Sequence, residues 1–177
     1  LHARRSGFRW CRLVGPAWLQ AKNTFFLTQN GSAPRFSLID QAGHRDTSGE
    51  HFGRFTLLTF LDPVCYTDSP LLAAQLQGVS ATLGANAPLD IVAVAAHPFH
   101  ETLANVNKFI KQHRRTTMKN FYFVTTLHPM VSERVRGNCG VSVTMQPPDK
   151  MSIHSHFLFV IDLGERLKLF IPNNPLL

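Results

Sequence analysis

A chain of 177 residues, 44% hydrophobic and 16% charged, has the make-up of a soluble globular protein and suffices for one domain with a real core. The net charge of +7 and the pI near 9.8 suggest nucleic acid or an anionic membrane, but the cations do not build a groove. They cluster at Arg4, Arg5, Arg9 and Arg12, and at Lys108, Lys111, Arg114 and Arg115 near a helix end, with no interleaved aromatics, so no nucleic-acid partner is expected.

No apolar run reaches the roughly 18 residues of a membrane-crossing helix. The three cysteines, Cys11, Cys65 and Cys139, are odd in number, widely spaced and without a C-x-x-C pair, so they form no disulfide framework and do not reveal a redox compartment. Residues 1–33 read as an irregular leader. An Arg-rich start precedes a short apolar patch, Leu13 to Leu19, which Gly15-Pro16 interrupts, like the remnant of a signal or anchor. Gly31 to Pro34 reads as a linker into a domain covering 34–177.

Arg35 to Asp40 reads as a strand, 41–44 as a turn and 45–54 as a loop or short edge hairpin. Phe55 to Leu61 is the strong central strand. A polar turn follows, and from Pro70 a helix carries Leu72, Leu76, Val79 and Leu83 at helical spacing. Leu89 to Ala96 is a nearly unbroken apolar run, the mark of a strand covered on both faces, and His97-Pro98 stops it. A second helix runs from Glu101 to His113 with Leu103, Val106 and Ile110 on one face. Phe121 to Val124 is a strand, Pro129 to Arg136 a short helix and Val141 to Met145 a strand. A loop from Gln146 to Ser152 leads to a strand over His154–Asp162, whose hairpin partner is Arg166 to Ile171. Alternating strands and helices that end in a hairpin predict an α/β, thioredoxin-like fold: a central mixed sheet flanked by helices.

The central turn carries Cys65 between Asp62-Pro63 and Ser69-Pro70. Ser69 suits a helix cap and Pro70 the first helical position. A thiol there lies near a helix N-terminus, where free N–H groups and the dipole favour a thiolate; Asp62 and Asp68 oppose that effect. The plain alternative for Cys65 is a small buried hydrophobe, but the turn is too polar for a core segment.

The residues Phe36 to Gly43, Leu57 to Cys65, Ser69-Pro70, Ile153-His154-Ser155 and Phe159 to Gly164 together resemble the SCO/SenC family, in its bacterial, actinobacterial-type form, over roughly residues 34 to 172. The resemblance implies a thioredoxin-like, copper-binding protein of the cell envelope, outside the cytoplasmic membrane. Its partner would be the cytochrome c oxidase subunit that carries the copper centre, with thiol-disulfide reductants as further partners. It implies a metallochaperone rather than a turnover enzyme.

The family motif is C-x-x-x-C-P with a distant histidine, a soft donor set suited to copper. Carried onto this chain, the first cysteine is Cys65, the proline is Pro70 and the distant ligand is His154. The second cysteine falls on Ser69. A hydroxyl is a poor Cu(I) ligand and cannot form a disulfide with Cys65, so the site reads as degraded. The family's Asp-Pro after the next strand stands here as His97-Pro98.

Other candidates weigh less. His156 shares a strand face with His154, and Met151 offers a thioether for the place left by Ser69, but an ordinary strand histidine and a gap-filling methionine serve as well. His97 and His100 lie at the sheet edge where ligands of α/β proteins bind, yet loop histidines often have no role. Nothing in the sequence brings Cys139 to Cys65. Two competing functions stand beside the copper reading. One is a one-cysteine thiol oxidoreductase or peroxidase with Cys65 as the catalytic group, although a P-x-x-x-T-x-x-C pattern started at Pro63 and Thr67 puts its cysteine on Pro70. The other is a degenerate relative that keeps only a binding or structural role.

Overall fold

The computed structural model describes residues 27–113, 118–146, 151–154 and 157–172. Among the described residues, ten strands and three α-helices follow in chain order: β1 (Leu27–Ser32), β2 (Ser37–Ile39), β3 (Arg45–Thr47), β4 (Phe55–Leu61), α1 (Asp68–Leu83), β5 (Leu89–Ala95), α2 (Leu103–Gln112), β6 (Phe121–Val124), α3 (Pro129–Asn138), β7 (Val143–Gln146), β8 (Met151–His154), β9 (Phe157–Ile161) and β10 (Arg166–Pro172). Six strands form one mixed sheet in the order β1-β10-β9-β4-β5-β6. β4, β5 and β6 run parallel, β9 runs antiparallel to β4, and β10 returns as its hairpin partner. This is the predicted α/β class: a mixed sheet flanked by helices and closed by a C-terminal hairpin.

The apolar runs explain the sheet's centre. Every residue of β5 is buried, as its unbroken hydrophobicity requires for a strand covered on both faces. Alternation along β4 divides the core in two. Leu58 and Phe60 join Phe36, Val92, Val94 and Phe159 on the face covered by Val135 of α3 and Cys139 at its C-terminal cap. Leu57 and Leu61 join Ile91, Ala93 and Phe123 on the face covered by Leu72, Ala73 and Leu76 of α1 and Val106 and Phe109 of α2. The β2–β3 hairpin is tied to the sheet by reciprocal backbone bonds between Ile39 and Thr125, 2.8 and 2.7 Å long.

Four expectations need correction. Leu27–Ser32, left in the irregular leader, pair with β10 as an edge strand; residues 1–26 lie outside the described residues. The strand expected over His154–Asp162 is two strands. Met151–His154 pairs with β7 in a separate ribbon, and only Phe157–Ile161 joins the sheet. The apolar pattern did not show this break, because both pieces satisfy strand propensity. On α1, Val79 and Leu83 are exposed although they continue the apolar stripe. Helical spacing finds the inward face, not how far the sheet extends beneath it. Finally, α1 begins at Asp68 with Thr67 in the cap position, two residues before Pro70.

Candidate thiol site

The parallel strands β4, β5 and β6 end at one edge of the sheet, and the loop after β4 carries Cys65. Pairing of Leu61 with Ala95, extended by Ala96 N–H donating to the Leu61 carbonyl at 2.9 Å, anchors its start. Asp62, buried at the strand end, then organises the turn through three groups. Its carbonyl accepts from the Cys65 N–H at 3.2 Å, with Pro63 at the turn position where a fixed φ is favoured. Its Oδ1 accepts from the Val64 N–H at 2.8 Å, an Asx turn. Its own N–H donates to the Ser69 Oγ at 3.0 Å.

Cys65 is half-buried, with Sγ 3.5 Å from the Thr67 Oγ1. Thr67 makes no side-chain cap bond to α1. Ser69 is 0% exposed and lies inside the first turn of α1, so it closes the loop onto Asp62 instead of capping the helix. Pro70 is the third helical residue, still in the first turn, where its missing N–H costs the helix nothing.

The neighbouring loops are built from buried polar groups. His97, after β5, is fully buried; its Nδ1 accepts from the Phe99 N–H at 3.1 Å, and its ring centroid lies 4.4 Å from that of His100. Glu101 accepts from the Ser132 hydroxyl and from the Arg136 guanidinium, and Arg136 also donates to the Ser132 Oγ at 3.0 Å. Thr125 Oγ1 donates to the Glu101 carbonyl at 2.7 Å. Burial raises the Glu101 carboxyl above its ordinary range against the pull of Ser132 and Arg136, and the charge of Asp62 adds to the rise. This network ties α3 to the β5–α2 loop and to Thr125 after β6.

The other candidates fall apart from it or beyond description. Cys139, at the C-terminal cap of α3, is buried among Phe36, Val135 and Val141 and is a core residue. The backbone of His154 sits in β8 opposite Val143, and its side chain, like that of Met151, lies outside the described part. His156 and Cys11 lie outside the described residues. Among the described residues no group of three or more His, Cys, Asp and Glu gathers to hold a metal ion. The Cys65 turn therefore offers one soft donor, and the Ser69 hydroxyl, a hard atom, is turned to the backbone.

A second polar cluster escaped the sequence reading. His51 lies between Asp46, at 3.1 Å from Nε2, and Asp90, at 2.9 Å from Nδ1, and Arg54 Nε donates to the other oxygen of Asp90 at 2.8 Å. Tyr122 meets the imidazole edge-on with centroids 5.0 Å apart. The one clue was Asp90, a carboxylate inside an otherwise apolar strand, which demands a buried partner. This cluster lies at the start of β5, the opposite end of the parallel strands from Cys65.

The six-stranded mixed sheet with helices on both faces is a thioredoxin-like fold, and solved Sco structures share it. The solved structures it is similar to include copper-bound ScoI from Arabidopsis thaliana, with a TM-score of 0.69, 19% identity, and coverage of 82% of this chain and 89% of that one. BsSco, a member of the Sco family of cytochrome c oxidase assembly proteins, gives a TM-score of 0.66 with 20% identity over 84% of this chain and 88% of that one. A SCO1/SenC family lipoprotein from Bacillus anthracis gives 0.65 with 16% identity over 84% and 90%. No protein-family model matches the sequence, and no curated protein does.

Proposed function

We propose that this chain is a SCO/SenC-type protein that binds copper as cargo and assists assembly of the copper centre of cytochrome c oxidase. The observation that carries the reading is the placement of Cys65, half-buried in the turn beyond the central strand, in a fold shared with copper-bound ScoI over 82% of the chain. The partner follows from the family named for BsSco, and a cell-envelope location from the lipoprotein neighbour. Among the described residues no helix is long and apolar enough to cross a membrane.

In this reading Cys65 supplies the thiolate and His154 the imidazole. Both suit Cu(I) in ligand softness. With Ser69 in place of a second thiol, the chain brings two protein donors where the motif brings three. Affinity is therefore lower than for a full C-x-x-x-C site, and an internal dithiol cycle is closed to it. An anaerobic Cu(I) competition titration tests the reading. One-to-one binding that Cys65→Ala abolishes and His154→Ala weakens supports it; binding indifferent to both substitutions removes it.

A second reading rests on the same loop. A half-exposed thiol without a second thiol at position 69 suits a one-cysteine oxidoreductase. Peroxide turnover with an external thiol, lost in Cys65→Ala, would favour it over copper delivery.

A further inference from the structure

We propose that Ser69 is a positioning residue that builds the Cys65 turn, not the vacant place of a lost second ligand. The inference rests on the reading of Cys65 as the working thiol and deepens it. Ser69 is 0% exposed, and its oxygen accepts the Asp62 N–H at 3.0 Å. Asp62 in turn holds the Val64 N–H on Oδ1 and the Cys65 N–H on its carbonyl. The chain of contacts runs from Ser69 through the backbone of Asp62 to the backbone of Cys65. No hydrogen bond joins the Ser69 hydroxyl to the Cys65 thiol, although the thiol takes Thr67 as a neighbour at 3.5 Å.

The choice of oxygen at position 69 is chemical. A hydroxyl is a good acceptor for a buried backbone N–H, whereas a thiol is a weak one and an alanine offers nothing. A buried N–H deprived of its acceptor carries the full desolvation penalty of the group. The serine that removes a ligand from the motif therefore also stabilises the loop, fixing where a single thiol points. Restoring cysteine at this position returns a donor atom but loosens the turn that presents Cys65. On this account the site is built for one thiol, and any further soft donor must come from outside the 62–69 loop.

The test uses the metal-free protein with the Ser69→Ala and Ser69→Cys variants. Amide hydrogen exchange is read at Asp62 and Cys65, with Val92 and Val94 of β5 as reporters of the intact fold. The rate of Cys65 alkylation by iodoacetamide is followed against pH. Loss of one buried hydrogen bond predicts about tenfold faster exchange at Asp62 and Cys65 in both variants, with the β5 amides still protected. The alkylation pH profile shifts in both, because the turn no longer holds the thiol in one place. Unchanged exchange and an unchanged profile in Ser69→Ala overturn the proposal. So does a Ser69→Cys protein that keeps Asp62 protected while forming, on addition of oxidised glutathione, an internal disulfide with Cys65, since position 69 is then an open ligand place. No arm contains copper, so failure of copper binding and failure of this inference are separate results.

Discussion

Raising the pH should weaken the fold through one residue, His51. Its side chain is 5% exposed and lies between two buried carboxylates, those of Asp46 and Asp90. Burial alone would lower its pKa, but hydrogen bonds to Asp46 and Asp90 and their charges outweigh it and raise the value from 6.5 to about 9. At about 1.4 kcal/mol per unit, holding the protonated form contributes about 3 kcal/mol to folding. Because the folded value lies above the unfolded one, this contribution is complete below pH 6.5 and disappears as the pH rises through about 9. Urea unfolding at a series of pH values between these limits, on the unmodified protein and His51→Gln, measures it. The unmodified protein should lose about 3 kcal/mol across the window, and the variant should be weaker at the start and nearly flat. Parallel pH dependences for the two proteins would refute the assignment. At the acid end the sign reverses. Burial raises the Asp90 carboxyl, but the hydrogen bonds from His51 and Arg54 lower it further, to a net value below 3.8, so its contribution holds above that value and is lost as the pH falls beneath it.

Two further substitutions probe the scaffold of the site. Arg136→Ala strands the buried Glu101 carboxyl and should cost about 3–5 kcal/mol by chemical denaturation, whereas a change within a few tenths of zero would mean that Glu101 holds no charge there. Thr102 caps α2 by accepting the Asn105 N–H at 3.2 Å, so Thr102→Ala should cost about 1 kcal/mol, seen as a lower urea midpoint at unchanged slope.

The sheet was legible because its centre is written in unambiguous terms. The apolar runs at Phe55–Leu61 and Leu89–Ala95 read as buried strands, and their parallel pairing places the Cys65 turn at the end of β4. Strand β1 was not legible. Leu27–Ser32 contains Asn30 and Gly31, which read as loop, and only pairing with β10 across more than a hundred residues makes it a strand. The same limit split Met151–His154 from Phe157–Ile161, where tertiary partners decide and local propensity cannot. At the Cys65 turn, the local sequence offers Ser69 as a helix cap, but its oxygen takes a different partner. A serine before proline fits a cap, and nothing local shows that its oxygen serves the backbone of Asp62, seven residues earlier. The Glu101–Ser132–Arg136 cluster joins residues that are ordinary in isolation, and in the Asp46–His51–Asp90 cluster only Asp90, inside an apolar strand, stands out, so the fold is needed to supply the partners.

The proposed copper site joins Cys65 and His154 on one ion. X-ray absorption at the copper edge of the Cu(I)-loaded protein, beside Cys65→Ala and His154→Ala, addresses it most directly. One sulfur and one imidazole nitrogen per copper are expected, with the sulfur lost in the first variant and the imidazole in the second. Copper surrounded by nitrogen and oxygen alone, or a ligand shell indifferent to both substitutions, would contradict it.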